Sequence, residues 1–514
     1  MPFRSCTDIV MKQAANWKVT GLVSCILMLG GCMVTPEPLT ETEVRSRVDQ
    51  DLGALTQDQE PVVGAIDLYE AMARALKYNL DVRVEVMEKM LAHQKLDLSH
   101  YELLPQIVAN ANYEQRSNFS GGVSRSLLDG TESLEASTSS EKDVFSSDLT
   151  LSWDILDFGL SYIRAKQAAD DVLIAEEEKR RAAIRVLQEV HASYWRAVSA
   201  DRMLPRLTVL SDWIERSLAT SRRIKHQKLA SPLIPLRYQR ELIESQRQIQ
   251  RLHRDLVTAK IHLAALMNLP PGKPYELVTP PRALSMPTLD IDVKEMEYRA
   301  LVNRPELRAV DYQKRINAKE TKAALLELLP HVTIQGSYNY NSNDLLFNQN
   351  WLTYGAKVSW NLLKAFTQPA RLQAIDAQGK VLDMRSLALS MTILSQVHVS
   401  MAKFSYAKRG LLTAQRYYKT QAQIAEHTRL SWISNRLGTQ VLVREKVSQV
   451  VAELRYLAAK ANMEAAYAKL LATMGEDPLP AAVKGHTVAE LADALRRHWA
   501  SFNSGGMRLA KEGE

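Results

Sequence analysis

The residues that most often do chemistry in proteins form no recognisable catalytic pattern in this chain. The eleven histidines are scattered. His93 and His100 could share one helix face, but they have no carboxylate or cysteine partner. The sequence contains no HExxH, P-loop or GxSxG motif and no dinucleotide-binding motif. The 17 methionines form no tight cluster, so packing explains them better than a metal relay. We therefore predict no enzyme activity, no cofactor and no metal site.

Cys32 is the residue whose context does predict covalent chemistry. Basic residues precede a short apolar run that ends at Leu29, as in a secretory signal peptide. The following Gly30-Gly31-Cys32 resembles the end of a bacterial lipobox, in which small residues allow cleavage and the cysteine thiol carries diacylglycerol. We expect residues 1–31 to be a signal peptide, starting at Met1 or Met11, and Cys32 to be lipidated. The alternative is a plain signal peptide with an incidental cysteine.

The composition excludes several other classes of protein. The 514 residues are 46% hydrophobic and 24% charged, which is typical of a folded chain. The net charge of +7 occurs without a basic tail or a nucleic-acid motif, so we predict no nucleic-acid partner. All three cysteines precede residue 33, which rules out a disulfide framework in the body of the protein. No interior stretch reaches the roughly 18 apolar residues of a membrane helix, so any membrane span must consist of strands.

One pattern occurs twice and organises the chain. Glu102-Leu103-Leu104-Pro105 and Glu327-Leu328-Leu329-Pro330 each follow a stretch of helix formers and precede about ten residues of alternating polarity. Proline is tolerated at the first residue of a strand but not inside a helix. Pro105 and Pro330 are therefore predicted to be helix-to-strand junctions.

The repetition extends to most of the sequence. Residues 75–113 align with 300–338 at an offset of 225, and Trp153 aligns with Trp360 at an offset of 207. The same offset of 207 relates Arg237 to Arg444. The two halves thus differ by 18 residues between their strands, which predicts a surface loop at residues 117–146. Each half reads as helix, strand, loop, strand, long helix, turn and helix.

These patterns give a domain plan. The signal peptide at 1–31 is followed by an extended, lipidated linker at 32–65. The first repeat spans 66–272, a connector spans 273–290, and the second repeat spans 291–475. Residues 476–514 form a C-terminal extension with one short helix. Residues 66–104 are predicted to be one helix, and 160–228 a helix on the order of 100 Å long.

The four strands have the length and alternation of membrane β-barrel strands. Four strands cannot close a barrel, since the smallest common ones use about eight. Open sheet edges are forbidden in lipid because no water satisfies their backbone groups. The barrel interpretation therefore requires an oligomer, whereas soluble hairpins packed on the helices are the alternative.

With these features, the chain resembles the TolC family of outer-membrane efflux proteins. The resemblance covers residues 66–475 and depends on the duplicated order of elements together with short motifs: Leu103-Leu104-Pro105, Leu329-Pro330, Trp153 to Gly159, Leu269-Pro270-Pro271-Gly272 and Asn303-Arg304-Pro305-Glu306-Leu307. It implies a mainly α fold with four strands in each chain, a homotrimer with one 12-stranded membrane β-barrel, and a coiled-coil-like α-helical tunnel in the periplasm.

The resemblance also implies where partners bind. In the family, the turns between the long helices close the periplasmic end and contact the adaptor protein; here they are residues 226–240 and 433–448. Gly438 matches the glycine at such a turn. Arg444 replaces the aspartate often found six residues later, and Arg237 is its equivalent in the first half. We hypothesise that Arg237 and Arg444 form a basic collar, with Glu445 and Glu241 as candidate ion-pair partners; two outward-facing arginines are the alternative.

The function implied is a passive exit duct of a tripartite efflux system, fed by an inner-membrane transporter through a periplasmic adaptor. A duct for type I protein secretion is the alternative within this class, and a periplasmic coiled-coil adaptor is the alternative from another class. The expected location is the outer membrane of a Gram-negative bacterium, anchored in its lipid, because Met33 replaces the aspartate that favours inner-membrane retention.

Overall fold

A computed structural model describes residues 36–55, 57, 59–133, 135–226, 233–270, 272–278, 291–476 and 487–503. The chain divides into two compact units, Met1–Gln59 and Glu60–Glu514. Cys32, the predicted signal peptide and most of the predicted connector lie outside the described residues. So do residues 227–232 at the first helical tip.

The described part of the first unit forms a helix where the sequence predicted an extended linker. Helix α1 spans Glu41–Ala54. It begins with a capping box, in which the Thr40 side chain accepts a hydrogen bond from the backbone N–H of Glu43 and the Glu43 carboxylate accepts one from that of Thr40. The prediction of an extended linker is wrong for these residues. It gave more weight to the flanking prolines than to the capping box that marks the start of the helix.

The second unit contains two copies of the same series of elements. The first copy comprises α2 (Leu68–Tyr78), α3 (Leu80–Tyr101), β1 (Gln106–Gln115), β2 (Asp143–Asp154), α4 (Ile155–His226) and α5 (Leu233–Leu266). The second comprises α6 (Val293–Asn303), α7 (Pro305–Leu326), β3 (His331–Asn341), β4 (Asn350–Ser359), α8 (Lys364–Ile433) and α9 (Thr439–Thr473). Helix α10 (Val488–Asn503) follows. The predicted mainly α, internally duplicated fold with four strands is confirmed.

The first predicted helix is broken in both copies. Asn79 lies between α2 and α3 in an extended conformation, and its side chain caps α3 by accepting hydrogen bonds from the backbone N–H groups of Asp81 and Val82. Arg304 occupies the corresponding place between α6 and α7, where Pro305 starts the next helix. The prediction of one continuous helix over 66–104 is therefore corrected to two.

The four strands form one antiparallel sheet in the order β1-β2-β3-β4. The two copies meet inside this sheet, because β2 of the first pairs with β3 of the second. β1 and β4 are consequently its edges. The predicted loop at 117–146 is shorter than expected, since β2 begins at Asp143.

The duplication is visible in side-chain contacts as well as in the order of elements. Lys89 on α3 pairs with Glu176 on α4 at 2.5 Å. Lys314 on α7 pairs with Asp383 on α8 at 2.9 Å. These two ion pairs are related by the offsets 225 and 207 found in the sequence. Each therefore joins the short helix before the strands to the long helix after them.

The second helical hairpin ends in a glycine that has a steric role. Gly475 follows α9 with φ +69°, and a Cβ there would lie 2.9 Å from the carbonyl carbon of Asn303. Asn268, the equivalent residue after α5, also has a positive φ of 56°. A left-handed residue thus terminates both hairpins, as is common after a helix.

The core contains one buried histidine–carboxylate pair. His191 on α4 is 3% exposed, and its Nε2 lies 4.0 Å from Oε2 of Glu464 on α9. The ring of Trp499 on α10 stacks on the imidazole with centroids 5.5 Å apart. Burial lowers the pKa of His191 to about 4. Burial raises the pKa of Glu464 to about 7, against the opposing attraction of Lys460.

These two shifts predict opposite pH dependences. Glu464 keeps its proton in the folded chain up to about pH 7 but loses it near its ordinary value when unfolded, so its contribution to stability falls as pH rises between those values. By 1.36 kcal/mol per pKa unit the loss is about 3 kcal/mol per chain. We expect Glu464→Gln to abolish this decline in the apparent Tm of the full-length protein as pH rises to about 7.

His191→Gln is the matched control for that experiment. Since the folded state resists protonating His191, this residue destabilises the fold as pH falls from its ordinary pKa to about 4. Its replacement should reduce only the decline that occurs as pH falls. An unchanged decline of Tm with rising pH in Glu464→Gln would contradict the assignment of the raised pKa to Glu464.

Candidate functional site

Pro105 and Pro330 lie at the joints between the helices and the sheet. Pro105 separates the end of α3 from Gln106, the first residue of β1, and Pro330 separates the end of α7 from His331, the first residue of β3. The same tight turn precedes both prolines. The backbone N–H of Leu104 donates to the carbonyl of Tyr101 at 3.1 Å, and that of Leu329 donates to Leu326 at 2.9 Å. The chain thus changes from helix to strand through the same local geometry at both junctions.

The sheet has one apolar face and one polar face. Residues paired across neighbouring strands project to the same side, and the register aligns apolar residues from all four strands. Ser147, Gly336 and Asn350 also lie on this face, but most of its residues are apolar: Ile107, Ala109, Ala111, Tyr113, Phe145, Leu149, Leu151, Trp153, Val332, Ile334, Tyr338, Tyr340, Leu352, Tyr354, Ala356 and Val358. Its large side chains are well exposed: Leu352 is 60% and Tyr354 78% accessible.

The opposite face carries hydrogen-bonding side chains. Asn110 Nδ2 donates to Asp148 Oδ2 at 3.0 Å across β1 and β2, and Asn339 Nδ2 donates to Thr353 Oγ1 at 3.0 Å across β3 and β4. A sheet that exposes a continuous apolar face, with a polar face behind it, matches a wall between lipid and water.

At the second helical tip, the residue with the special conformation is Asn435 rather than Gly438. Asn435 has φ +54° and closes the end of α8, where its N–H donates to the carbonyl of Trp432. Gly438 is the N-cap of α9 with φ −75°, and a Cβ at this position would meet nothing within 4 Å. Sequence reasoning favoured the glycine, whereas asparagine is the other residue that readily adopts a left-handed conformation.

Arg237 and Arg444 lie near the starts of α5 and α9, and both are exposed. Within the described residues neither forms an ion pair. Glu445, the predicted partner of Arg444, instead accepts a hydrogen bond from Gln421 Nε2 of α8 at 2.7 Å. Among the residues that the structure describes, the predicted pairing of Arg444 with Glu445 is therefore not formed, and both arginines are exposed.

Sequence reasoning missed two clusters of charged side chains. Glu453 on α9 is buried, and it pairs with Arg202 at 3.8 Å and with Arg206, both on α4. The other cluster joins Asp154, Asp157 and His331 near the second junction. Neither could be found from spacing, because Glu453 lies more than 240 residues from its two arginines and His331 more than 170 from its two aspartates. His93 and His100 belong to no such cluster among the described residues.

No described helix has a long enough apolar stretch to cross a membrane. Comparison of the sequence with protein-family models and with curated proteins finds no match.

Comparison of the fold with solved structures gives clear matches at low sequence identity. The Campylobacter jejuni CmeC outer membrane channel has a TM-score of 0.62 and 12% identity, covering 91% of this chain and 98% of that one. The outer-membrane channel OprN has a TM-score of 0.61 and 16% identity, with 79% and 89% covered. The open state of the Neisseria gonorrhoeae MtrE outer membrane channel has a TM-score of 0.60 and 17% identity, with 79% and 88% covered.

The same glycine-to-alanine substitution should have a small effect at Gly438 and a large one at Gly475. Gly438→Ala is expected to change the free energy of unfolding by no more than about 0.5 kcal/mol, because alanine adopts its φ freely and meets open space. Gly475→Ala should cost at least about 1–2 kcal/mol, from the positive φ alone, with the clash against Asn303 in addition. Thermal unfolding of the two full-length variants tests this. A large loss in Gly438→Ala would show that the glycine itself is required at the tip.

Proposed function

We propose that this chain, whose fold is that of the TolC-family outer-membrane channels, is one third of a trimeric exit duct in the outer membrane of a Gram-negative bacterium. In this proposal the duct is the outer component of a tripartite efflux system. It conducts solutes passively from an inner-membrane transporter and its periplasmic adaptor. A lipid on Cys32 would anchor each chain in the same membrane.

The two-faced sheet with free edges is the observation that carries this proposal. In a closed ring the apolar face would contact lipid and the polar face would line the lumen. The strands alternate in direction, so β4 of one chain can pair antiparallel with β1 of the next. Three chains would then supply twelve strands. A periplasmic adaptor would instead need one helical hairpin between separate β-domains, whereas the described residues form two hairpins on one sheet.

The internal duplication supplies the register of that closure. Within one chain, Leu151 of β2 lies opposite Gly336 of β3. Shifting these positions by 207 and 225 gives Val358 of β4 and Ala111 of β1. We therefore propose that Val358 of one chain lies opposite Ala111 of the next, both on the apolar face.

A cysteine pair tests this register. In a background with serine at Cys6 and Cys25, Ala111→Cys combined with Val358→Cys should form disulfides between chains, because opposed residues lie about 4.5–5.5 Å apart. Non-reducing electrophoresis of the oxidised, detergent-purified protein should then show a covalent trimer.

Ala111→Cys combined with Ala356→Cys is the control, since diagonal neighbours are about 7–8 Å apart and too distant for an unstrained disulfide. Equal cross-linking in the two variants, or none in either, would contradict the proposed closure.

The two exposed arginines give a test of conduction. Three chains would bring six of them, from Arg237 and Arg444, to the periplasmic end, where they would favour anions at the entrance. In single-channel recordings Arg237→Ala/Arg444→Ala should be more selective for cations than the unaltered protein. Arg409→Ala, an exposed arginine on α8, is the control. Unchanged selectivity and conductance would contradict the hypothesis of a basic collar but would not contradict the proposed duct.

A further inference from the structure

Three side chains that could bind a metal ion converge where β2, α4 and β3 meet. Asp154 is the last residue of β2, Asp157 lies in the first turn of α4, and His331 is the first residue of β3. His331 Nδ1 lies 3.5 Å from Asp154 Oδ2 and 3.7 Å from Asp157 Oδ1. One ligand atom from each residue lies within 4.8 Å of the other two.

The imidazole does not hydrogen-bond to either carboxylate, although it faces both. Both nitrogen–oxygen distances exceed the usual 2.7–3.2 Å of such a bond. His398 on α8 shows the contrasting case, because its Nε2 lies 2.7 Å from Glu297 Oε1. The His398–Glu297 pair therefore closes fully, whereas the His331 group is held open around a shared centre.

The size of this opening fits a metal ion. Atoms with these separations can all lie about 2.4 Å or less from one point, which spans the bond lengths of Zn²⁺ to nitrogen and oxygen and those of somewhat larger cations. One imidazole and two carboxylates are ligands that zinc accepts. The side chain of Asp157 is 64% exposed, which leaves an entry path and room for a water ligand.

Asp154 is positioned independently of any ion. Its Oδ1 accepts hydrogen bonds from the backbone N–H groups of Leu156 at 2.9 Å and Asp157 at 3.0 Å, while Oδ2 accepts one from Thr333 Oγ1 at 2.9 Å. Hydrogen bonds of this kind orient carboxylate ligands before a metal binds.

The duplicated junction provides an internal comparison. The offsets 207 and 225 place Asn361, Lys364 and Gln106 at the positions that correspond to Asp154, Asp157 and His331. An amide and an ammonium group replace the two carboxylates there, and a second amide replaces the imidazole. The ligand set is thus specific to the junction inside the chain and is not a requirement of the fold.

We propose that Asp154, Asp157 and His331 form a binding site for one divalent metal ion per chain, with Zn²⁺ as the ion that fits best. The bound ion would join the end of β2, the start of α4 and the start of β3. It would thereby hold the helix-to-strand crossing in each chain, independently of what the duct conducts.

Metal binding to the full-length protein tests the site. The protein should carry no histidine tag and should be stripped with a chelator before titration with Zn²⁺ by calorimetry. We expect saturation at one ion per chain and a higher apparent Tm in the presence of zinc. Asp157→Asn and His331→Gln should each weaken binding by about tenfold or more and should abolish the zinc-dependent rise in Tm.

His398→Gln is the matched control, since it removes a histidine–carboxylate pair elsewhere and should bind zinc as the unaltered protein does. Co²⁺ provides a spectroscopic probe, because a site with nitrogen and oxygen ligands alters its visible absorption relative to the aqueous ion. If His331→Gln does not assemble, the exposed Asp157→Asn still decides the question. Absence of saturable binding, or equal binding by Asp157→Asn, would overturn the proposal.

Discussion

The backbone hydrogen-bonding groups along the free edges of β1 and β4 are the constraint on which the rest of the molecule depends. Water can satisfy such groups in a soluble sheet, but lipid cannot. The same sheet carries a continuous, exposed apolar face. A chain that places this face in lipid must pair its two edges with other chains, so the sheet is complete only in an assembly.

The helices, like the sheet, are left incomplete within one chain. In the second repeat α7 contacts both long helices of its own chain, because Glu320 binds Arg164 of α4 at 2.6 Å and Arg371 of α8 at 3.1 Å. Its counterpart α3 packs on α4 but leaves Met87, Leu91 and Leu98 more than half exposed. In the proposed ring these side chains would meet α8 of the neighbouring chain. The same neighbouring chain would therefore complete both the sheet and the layer of helices.

Several features of this fold could be predicted from sequence because each leaves a local and repeated signal. The alternation around Ile107 and Leu149 located the strands, and Pro105 and Pro330 located the junctions. The resemblance to the TolC family is confirmed at the level of the fold. The recurrence of Lys89–Glu176 as Lys314–Asp383 shows that the offsets describe real structural equivalence.

Other features could not be predicted because their signals are weak or non-local. The break at Asn79 lies between two stretches of good helix formers, and only the capping side chain marks it. Glycine at 438 was a stronger signal than Asn435, although the asparagine holds the left-handed conformation. The contact between Asp157 and His331 depends on the register of β2 and β3, which no spacing within the sequence reveals.

In the proposed ring, the unequal loops of the two repeats would shape the surface that faces the cell exterior. Twenty-seven residues join β1 to β2, but only eight join β3 to β4. In the proposed ring these connections would alternate, giving a rim of three tall and three short segments. A phage, antibody or toxin that approaches from outside would meet a surface with threefold symmetry, even though the wall beneath is nearly sixfold. Recognition from outside would then depend mainly on the first repeat, and that loop could vary in evolution without disturbing the conduit.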